Sequence, residues 1–122
     1  MKFCWVTINV KDLEESLSFY TDIVGLTVNR RMTPMPGTEI AFLGSGETEV
    51  ELIRNEQNAN PSHGRDVSLG FEVASLDERI RMLKEKGVSE IQGPFQPGPR
   101  AKFIYITDPN GVSIQFVQNV AP

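Results

Sequence analysis

Residues 6–15 read VTINVKDLEE and residues 69–78 read LGFEVASLDE, so one pattern occurs twice at a constant offset of 63. Each copy begins with apolar residues at every second position, which is the period of a half-buried β-strand. Asp12 and Ser75 follow, each with an acidic residue three positions later, as is typical of the start of an α-helix. The repeat therefore predicts two modules with the same order of elements.

Three further strands are predicted after each helix, because Gly, Pro and Asn separate alternating apolar runs there. They cover about 26–33, 38–44 and 48–54 in the first copy, and about 88–92, 101–107 and 112–118 in the second. The first strand is placed at 2–10, both helices end at a glycine (Gly25 and Gly87), and 93–99 is expected to be a loop. We therefore predict an α+β fold, a single domain over 1–122 with β-α-β-β-β modules at 1–54 and 66–122 and an exposed linker at 55–65.

The composition is that of an ordinary globular domain, which at this length folds without disulfides. The lone Cys4 lies on the apolar side of the first strand and is expected to be a buried, inert thiol. The net charge is -4 and no apolar run is long enough for a membrane helix, so neither nucleic acid nor a membrane is an expected partner. We expect a cytoplasmic protein that binds a small molecule.

Two motifs carry a resemblance to a known family. Residues 12–20 read DLEESLSFY, and residues 108–111 read DPNG before an alternating last strand. With the paired modules, they resemble the vicinal oxygen chelate superfamily, which includes glyoxalase I, extradiol dioxygenases, fosfomycin-modifying enzymes and metal-free drug-binding proteins. The resemblance implies that each module curls into a U-shaped half barrel, that the half barrels enclose a ligand cleft, and that the protein is a homodimer.

The resemblance also places the family's metal ligands in the first and last strands of each module. Those positions hold Trp5, Glu51, Ser68 and Gln115 here. Strand alternation independently turns the same four residues away from the apolar faces that pack on the helices. Because indole, hydroxyl and amide groups are poor ligands for Zn²⁺ or Ni²⁺, we expect no metal and no other cofactor at this position.

In the first module, Glu51 is the candidate catalytic residue. It is interpreted as a general base or as an anion that recognises a cationic or hydroxylated ligand, and the alternative is a solvated carboxylate. Trp5 is interpreted as a stacking surface for a planar ligand, and the alternative is simple packing. Thr7 and Glu49 share this face and are further candidate ligand-binding residues.

In the second module, Ser68, Phe103, Tyr105 and Gln115 are the candidate ligand-binding residues, because they alternate with apolar neighbours. For Phe103, packing in the core is an almost equally good explanation. Arg100 lies in the loop before this strand, where it could bind a ligand carboxylate or phosphate, although an isolated loop arginine is more often solvated.

Three functions remain open. The leading hypothesis is a glyoxalase-like protein that binds a small molecule without the usual metal, of drug-binding or resistance type. The alternative is a lyase or isomerase related to lactoylglutathione lyase, with Glu51 as base and an atypical metal or none. The third is a structural or interaction module, and the polar residues on the predicted cleft face are weak evidence against it.

Overall fold

The computed structural model describes residues 1–119. The chain divides into two compact units, Met1–Ser62 and a second that begins at His63, so the division falls inside the predicted linker. The last three residues of the predicted second module, 120–122, lie outside the described residues. No helix within residues 1–119 combines the length and the apolar character that a membrane crossing requires.

The first unit contains one four-stranded sheet with the strand order β1-β4-β3-β2. Strand β1 is parallel to β4, and the other neighbours are antiparallel. The elements in chain order are β1 (Trp5–Asn9), α1 (Leu13–Ser18), β2 (Val28–Met35), β3 (Thr38–Leu43) and β4 (Glu49–Asn55).

Helix α1 begins as the sequence predicts, because the Asp12 side chain accepts a hydrogen bond from the backbone N–H of Glu15 at 3.0 Å. After Ser18 the chain forms a π-helical turn, Phe19–Ile23, which the helical spacing did not reveal. Gly25 follows with φ of 92°, a conformation that favours glycine at a helix end. The apolar residues at helical spacing in this segment are buried: Leu13, Leu17, Tyr20 and Val24.

The second unit repeats this architecture, with the strand order β5-β8-β7-β6 and β5 parallel to β8. Its elements are β5 (Ser68–Glu72), α2 (Leu76–Glu85), β6 (Gln92–Phe95), β7 (Ala101–Thr107) and β8 (Ser113–Asn119). Ser75 caps α2 through the backbone N–H of Glu78, as Asp12 caps α1. The α+β fold of two β-α-β-β-β modules is therefore confirmed.

Two strands contain prolines at places where the sequence predicted no strand. Strand β2 runs through Pro34 to Met35, and β6 covers Gln92–Phe95 with Pro94 inside it, where a loop was expected. Both strands lie at the edge of their sheets, and each proline falls where the pairing with the neighbouring strand is irregular, between Met32 and Met35 and between Gln92 and Phe95. A proline therefore did not end the strand at either place.

Cys4 also differs from expectation, because its thiol is exposed rather than buried. Strand β1 begins at Trp5 instead of residue 2, since β4 starts at Glu49, directly opposite Trp5. The chain before Trp5 has no partner strand among the described residues along which to continue the sheet, so the alternation at residues 2–4 does not direct Cys4 into the core.

Candidate functional site

One face of the first sheet carries all four candidate residues of the first module. Trp5 is opposite Glu49, and Thr7 is opposite Glu51, in the parallel pair of β1 and β4. The alternate residues of these strands, which include Ile8 and Leu52, are buried on the other face, against which α1 packs. The alternation of side chains therefore separates an apolar core face from a face that holds polar and aromatic groups.

Glu51 is buried on this face, with 8% of its surface exposed. The Thr7 hydroxyl donates a hydrogen bond to Glu51 Oε1 at 2.6 Å. Among residues 1–119, no other group bonds to this carboxylate, so Oε2 has no protein partner there. Because a carboxylate oxygen can accept more than one hydrogen bond, the unbonded Oε2 offers a position for a further donor.

Glu49 has a different environment, because its carboxylate is already bound. Asn29 Nδ2 donates to Oε2 at 2.9 Å, and Arg30 Nη1 and Nη2 donate to Oε2 and Oε1 at 3.1 and 3.3 Å. The Asn29 amide, and after it the Arg30 guanidinium, hold the pKa of Glu49 below its ordinary value, against the opposing effect of desolvation. Glu49 therefore stays ionised and fixes Arg30.

Aromatic packing joins these groups. Phe42 lies opposite Glu51 in the pair of β3 and β4, and the Trp5 ring meets it edge to face with 5.3 Å between centroids. Arg30 Cζ lies over the Phe42 ring, 3.9 Å from its centroid. Trp5 nevertheless keeps 46% of its surface exposed, so Phe42 supports the indole without covering it.

The second sheet brings Tyr105 and Gln115 together. They are opposite each other in β7 and β8, and Gln115 Nε2 donates to the Tyr105 hydroxyl at 3.2 Å. Phe103 meets Tyr105 edge to face at 5.6 Å, and Phe95 of β6 packs on both rings. This face also carries the Glu72 carboxylate, which accepts a hydrogen bond from the Asn119 amide.

Ser68 and Tyr105 line an open depression of about 290 Å³. The remaining lining residues are Arg65, Asp66, Val67, Gln92 and Ser113. Arg100 is exposed immediately before β7 and has no bonding partner among the described residues. Its suggested role in binding an anion stays a prediction.

The family model for the Glyoxalase/Bleomycin resistance protein/Dioxygenase superfamily matches residues 2–116. The chain belongs to this superfamily. The match covers both units and confirms the resemblance carried by residues 12–20 and 108–111. This glyoxalase superfamily member is also similar to individual proteins over nearly its whole length.

Two of the similar proteins have names that state an activity. The superfamily member is 33% identical to a probable lactoylglutathione lyase of Synechocystis sp., over 91% of this chain and 90% of the relative. The trypanothione-dependent glyoxalase I of Leishmania major is 25% identical with a TM-score of 0.79, covering 97% of this chain and 86% of that one. An antibiotic-binding protein from Streptomyces sp. CB03234 has a TM-score of 0.79 at 21% identity, over 98% of this chain and 97% of that one, which shows a shared fold alone.

The superfamily implies a divalent metal, and the residues at its position do not fit one. Of Trp5, Glu51, Ser68 and Gln115, only the glutamate is an ordinary ligand for such an ion, and its Oε1 is engaged by Thr7. Within residues 1–119, no group of three or more His, Cys, Asp or Glu side chains could hold a metal.

Sequence reasoning missed Arg30 and Phe42. Phe42 could have been found from its alternation with Ala41 and Leu43 in β3. Arg30 could not, because an irregularity between Val28 and Arg30 shifts the pairing with β3. Such a β-bulge reverses the face that the following residues occupy, and it cannot be recognised from the pattern of residues.

Proposed function

We propose that this glyoxalase superfamily member binds a small organic molecule on the first sheet face, without the usual divalent metal. The observation that carries the proposal is Glu51, which is 92% buried and whose carboxylate bonds only to Thr7 among the described residues. A ligand with an ammonium or another strong hydrogen-bond donor would satisfy its second oxygen. Glu51 is thus the anchoring anion of the site.

Trp5 supplies the apolar part of the same site. It is a diagonal neighbour of Glu51 across β1 and β4, on the same face, and its indole is half exposed. A ring surface beside a single buried charge is the usual composition of a small-molecule site. The expected ligand therefore combines a donor group with a flat apolar body, as many cationic drugs do, and the protein is of the drug-binding type.

The experiment uses the single tryptophan of the chain, whose indole N–H gives one resolved NMR signal. The probe is 1-naphthylmethylamine, a cation at neutral pH, and its neutral counterpart is 1-naphthalenemethanol. Glu51→Gln should weaken the amine about tenfold or more, because a hydrogen bond to a charged group is lost, and should change the alcohol far less. The matched control is Glu39→Gln, an exposed glutamate of the neighbouring strand β3 on the opposite face.

Two outcomes would overturn this proposal. One is a wild-type indole signal that does not move with the amine in the millimolar range. The other is an amine affinity that Glu51→Gln leaves unchanged while the variant melts like the wild type.

The metal-free part of the proposal has its own test. Thermal melts with added Ni²⁺, Zn²⁺, Mn²⁺ or Mg²⁺ should show no increase in Tm, since an ion that binds the native state must raise it. Elemental analysis of protein purified without chelator should agree. An increase that disappears in Glu51→Ala would refute metal independence.

A second candidate is a lyase or isomerase in which Glu51 is the general base, with an atypical metal or none. Its support is the relatives named lactoylglutathione lyase and glyoxalase I, together with a buried carboxylate oxygen that could accept a proton. The test is thioester formation, followed by ultraviolet absorbance, from the adduct of methylglyoxal and glutathione. Turnover above the uncatalysed rate that is lost in Glu51→Gln would make this the better account.

A further inference from the structure

The β-bulge in β2 places an arginine on the face of the first sheet that carries Trp5 and Glu51. Val28 is opposite Leu43, whereas Arg30 is opposite Phe42, so β2 contains one additional residue, Asn29, between these two pairs. In a regular ladder, Arg30 would be opposite Ala41 and would point to the other face of the sheet, against which α1 packs. Asn29 itself bonds to the Gly44 carbonyl and to Glu49, which holds the bulge in place.

The surroundings of Arg30 fix the plane of its guanidinium. Both Nη atoms bond to the two oxygens of Glu49, and such paired bonds lie in the guanidinium plane. One side of the plane lies against the Phe42 ring, with Cζ 3.9 Å from the centroid. Among residues 1–119 no second ring lies against the guanidinium, and 45% of the side chain is exposed, which leaves room for a ligand on the opposite side of the plane.

We propose that Arg30 is a specificity-determining residue that offers its guanidinium plane as a stacking surface for an aromatic ring of the ligand. The proposal rests on the proposed function, because it describes how the same site selects its ligand. Arg30, Phe42, Glu51 and Thr7 form one row across the four strands. A ring on Arg30 therefore lies near Glu51, and its donor group can reach the buried carboxylate.

Glu49 and Phe42 act through Arg30 as positioning residues. The Glu49 carboxylate occupies the terminal N–H groups of the guanidinium, so an anionic ligand group would have to displace it. Stacking uses the face of the plane instead and leaves those bonds intact. The site therefore favours electron-rich planar aromatic ligands over aliphatic or anionic ones.

The experiment compares two amines that share the ammonium group and differ in the ring: 1-naphthylmethylamine and cyclohexylmethylamine. Arg30→Lys keeps the charge and removes the plane, so it should weaken the aromatic amine about threefold to tenfold and leave the aliphatic amine unchanged. Arg31→Lys is the matched control, because Arg31 is the next residue of β2, equally exposed and also paired with a glutamate, but on the other face. Affinities are read from the Trp5 indole signal, and melting curves confirm that each variant is folded.

The outcomes separate this proposal from the one on which it rests. If both amines bind and Glu51→Gln weakens both, but Arg30→Lys changes neither, the role of Arg30 is refuted and the site at Glu51 stands. If Arg30→Lys weakens both amines equally, the residue acts through charge or structure, and the stacking proposal fails. If neither amine binds the wild-type protein, the proposed function itself fails.

Discussion

Replacing Thr7 by valine removes the single hydrogen bond that the described residues give to Glu51 and keeps the shape of the side chain. The bond is short, at 2.6 Å, and its acceptor is a buried carboxylate. A hydrogen bond to a charged group contributes about 1.5–3 kcal/mol, and the exposed position of Thr7 reduces this. We expect Thr7→Val to lower the free energy of unfolding by about 1–2 kcal/mol, or Tm by about 4–8 °C for a domain of this size.

The assay is a double-mutant cycle of urea unfolding with Thr7→Val, Glu51→Leu and the double variant. The coupling energy between the two positions should be about 1–2 kcal/mol, because the interaction is absent from every variant. Thr107→Val is the control, since Thr107 is also an exposed strand threonine and its hydroxyl has no bonding partner among residues 1–119. A coupling energy near zero, or an equal loss in Thr107→Val, would refute the account of Glu51 as a carboxylate held by Thr7.

Three further changes test other parts of the molecule. Because its hydrogen bonds lower the pKa of Glu49 in the folded protein, the ionised carboxylate stabilises the fold at neutral pH and loses that contribution as the pH falls below the ordinary pKa of 4.5. The difference in Tm between wild type and Glu49→Gln should therefore disappear in acid, and a difference that stays constant with pH would contradict this. Asp108→Ala removes the acceptor of two backbone N–H groups of its own turn, each at 2.8 Å, and should lower the free energy of unfolding in urea by about 3 kcal/mol, whereas an unchanged midpoint would contradict the turn's role. Gly93→Ala should lower the free energy of unfolding by about 1–3 kcal/mol, because φ at Gly93 is 107° and a Cβ there would lie 3.0 Å from a backbone oxygen. Gly46→Ala, whose Cβ would meet nothing within 4 Å, should be nearly neutral, and an equal loss in both variants would refute backbone strain at Gly93.

The fold could be predicted because its determinants are local and occur twice. Asp12 and Ser75 cap their helices through bonds to the residue three positions later, and the alternation in β7 and β8 matches the burial of their apolar residues, Ile104, Ile106, Ile114 and Phe116. Such signals depend on neighbours along the chain, so they can be recognised without knowing the tertiary structure. The same alternation correctly placed Trp5, Glu51, Tyr105 and Gln115 on the faces away from the core.

The site was predicted less completely because its geometry depends on contacts between strands. That Arg30 lies over Phe42 depends on one additional residue in β2, and a single residue reverses the face of everything that follows. The different roles of Glu49 and Glu51 also follow from their partners, since both lie on the same face of the same strand. Periodicity gives a residue its face, but it does not give the residue its neighbours.

The prolines at the outer strands of both sheets have a consequence for the protein at high concentration. An exposed strand edge is a template on which another chain can add a strand, and this is the first step of ordered aggregation. Pro34 in β2 and Pro94 in β6 each remove a backbone donor from such an edge and interrupt the regular ladder that an incoming chain would need. Each repeat thus has a proline that protects its edge strand, and the protein should resist fibril formation at these two edges.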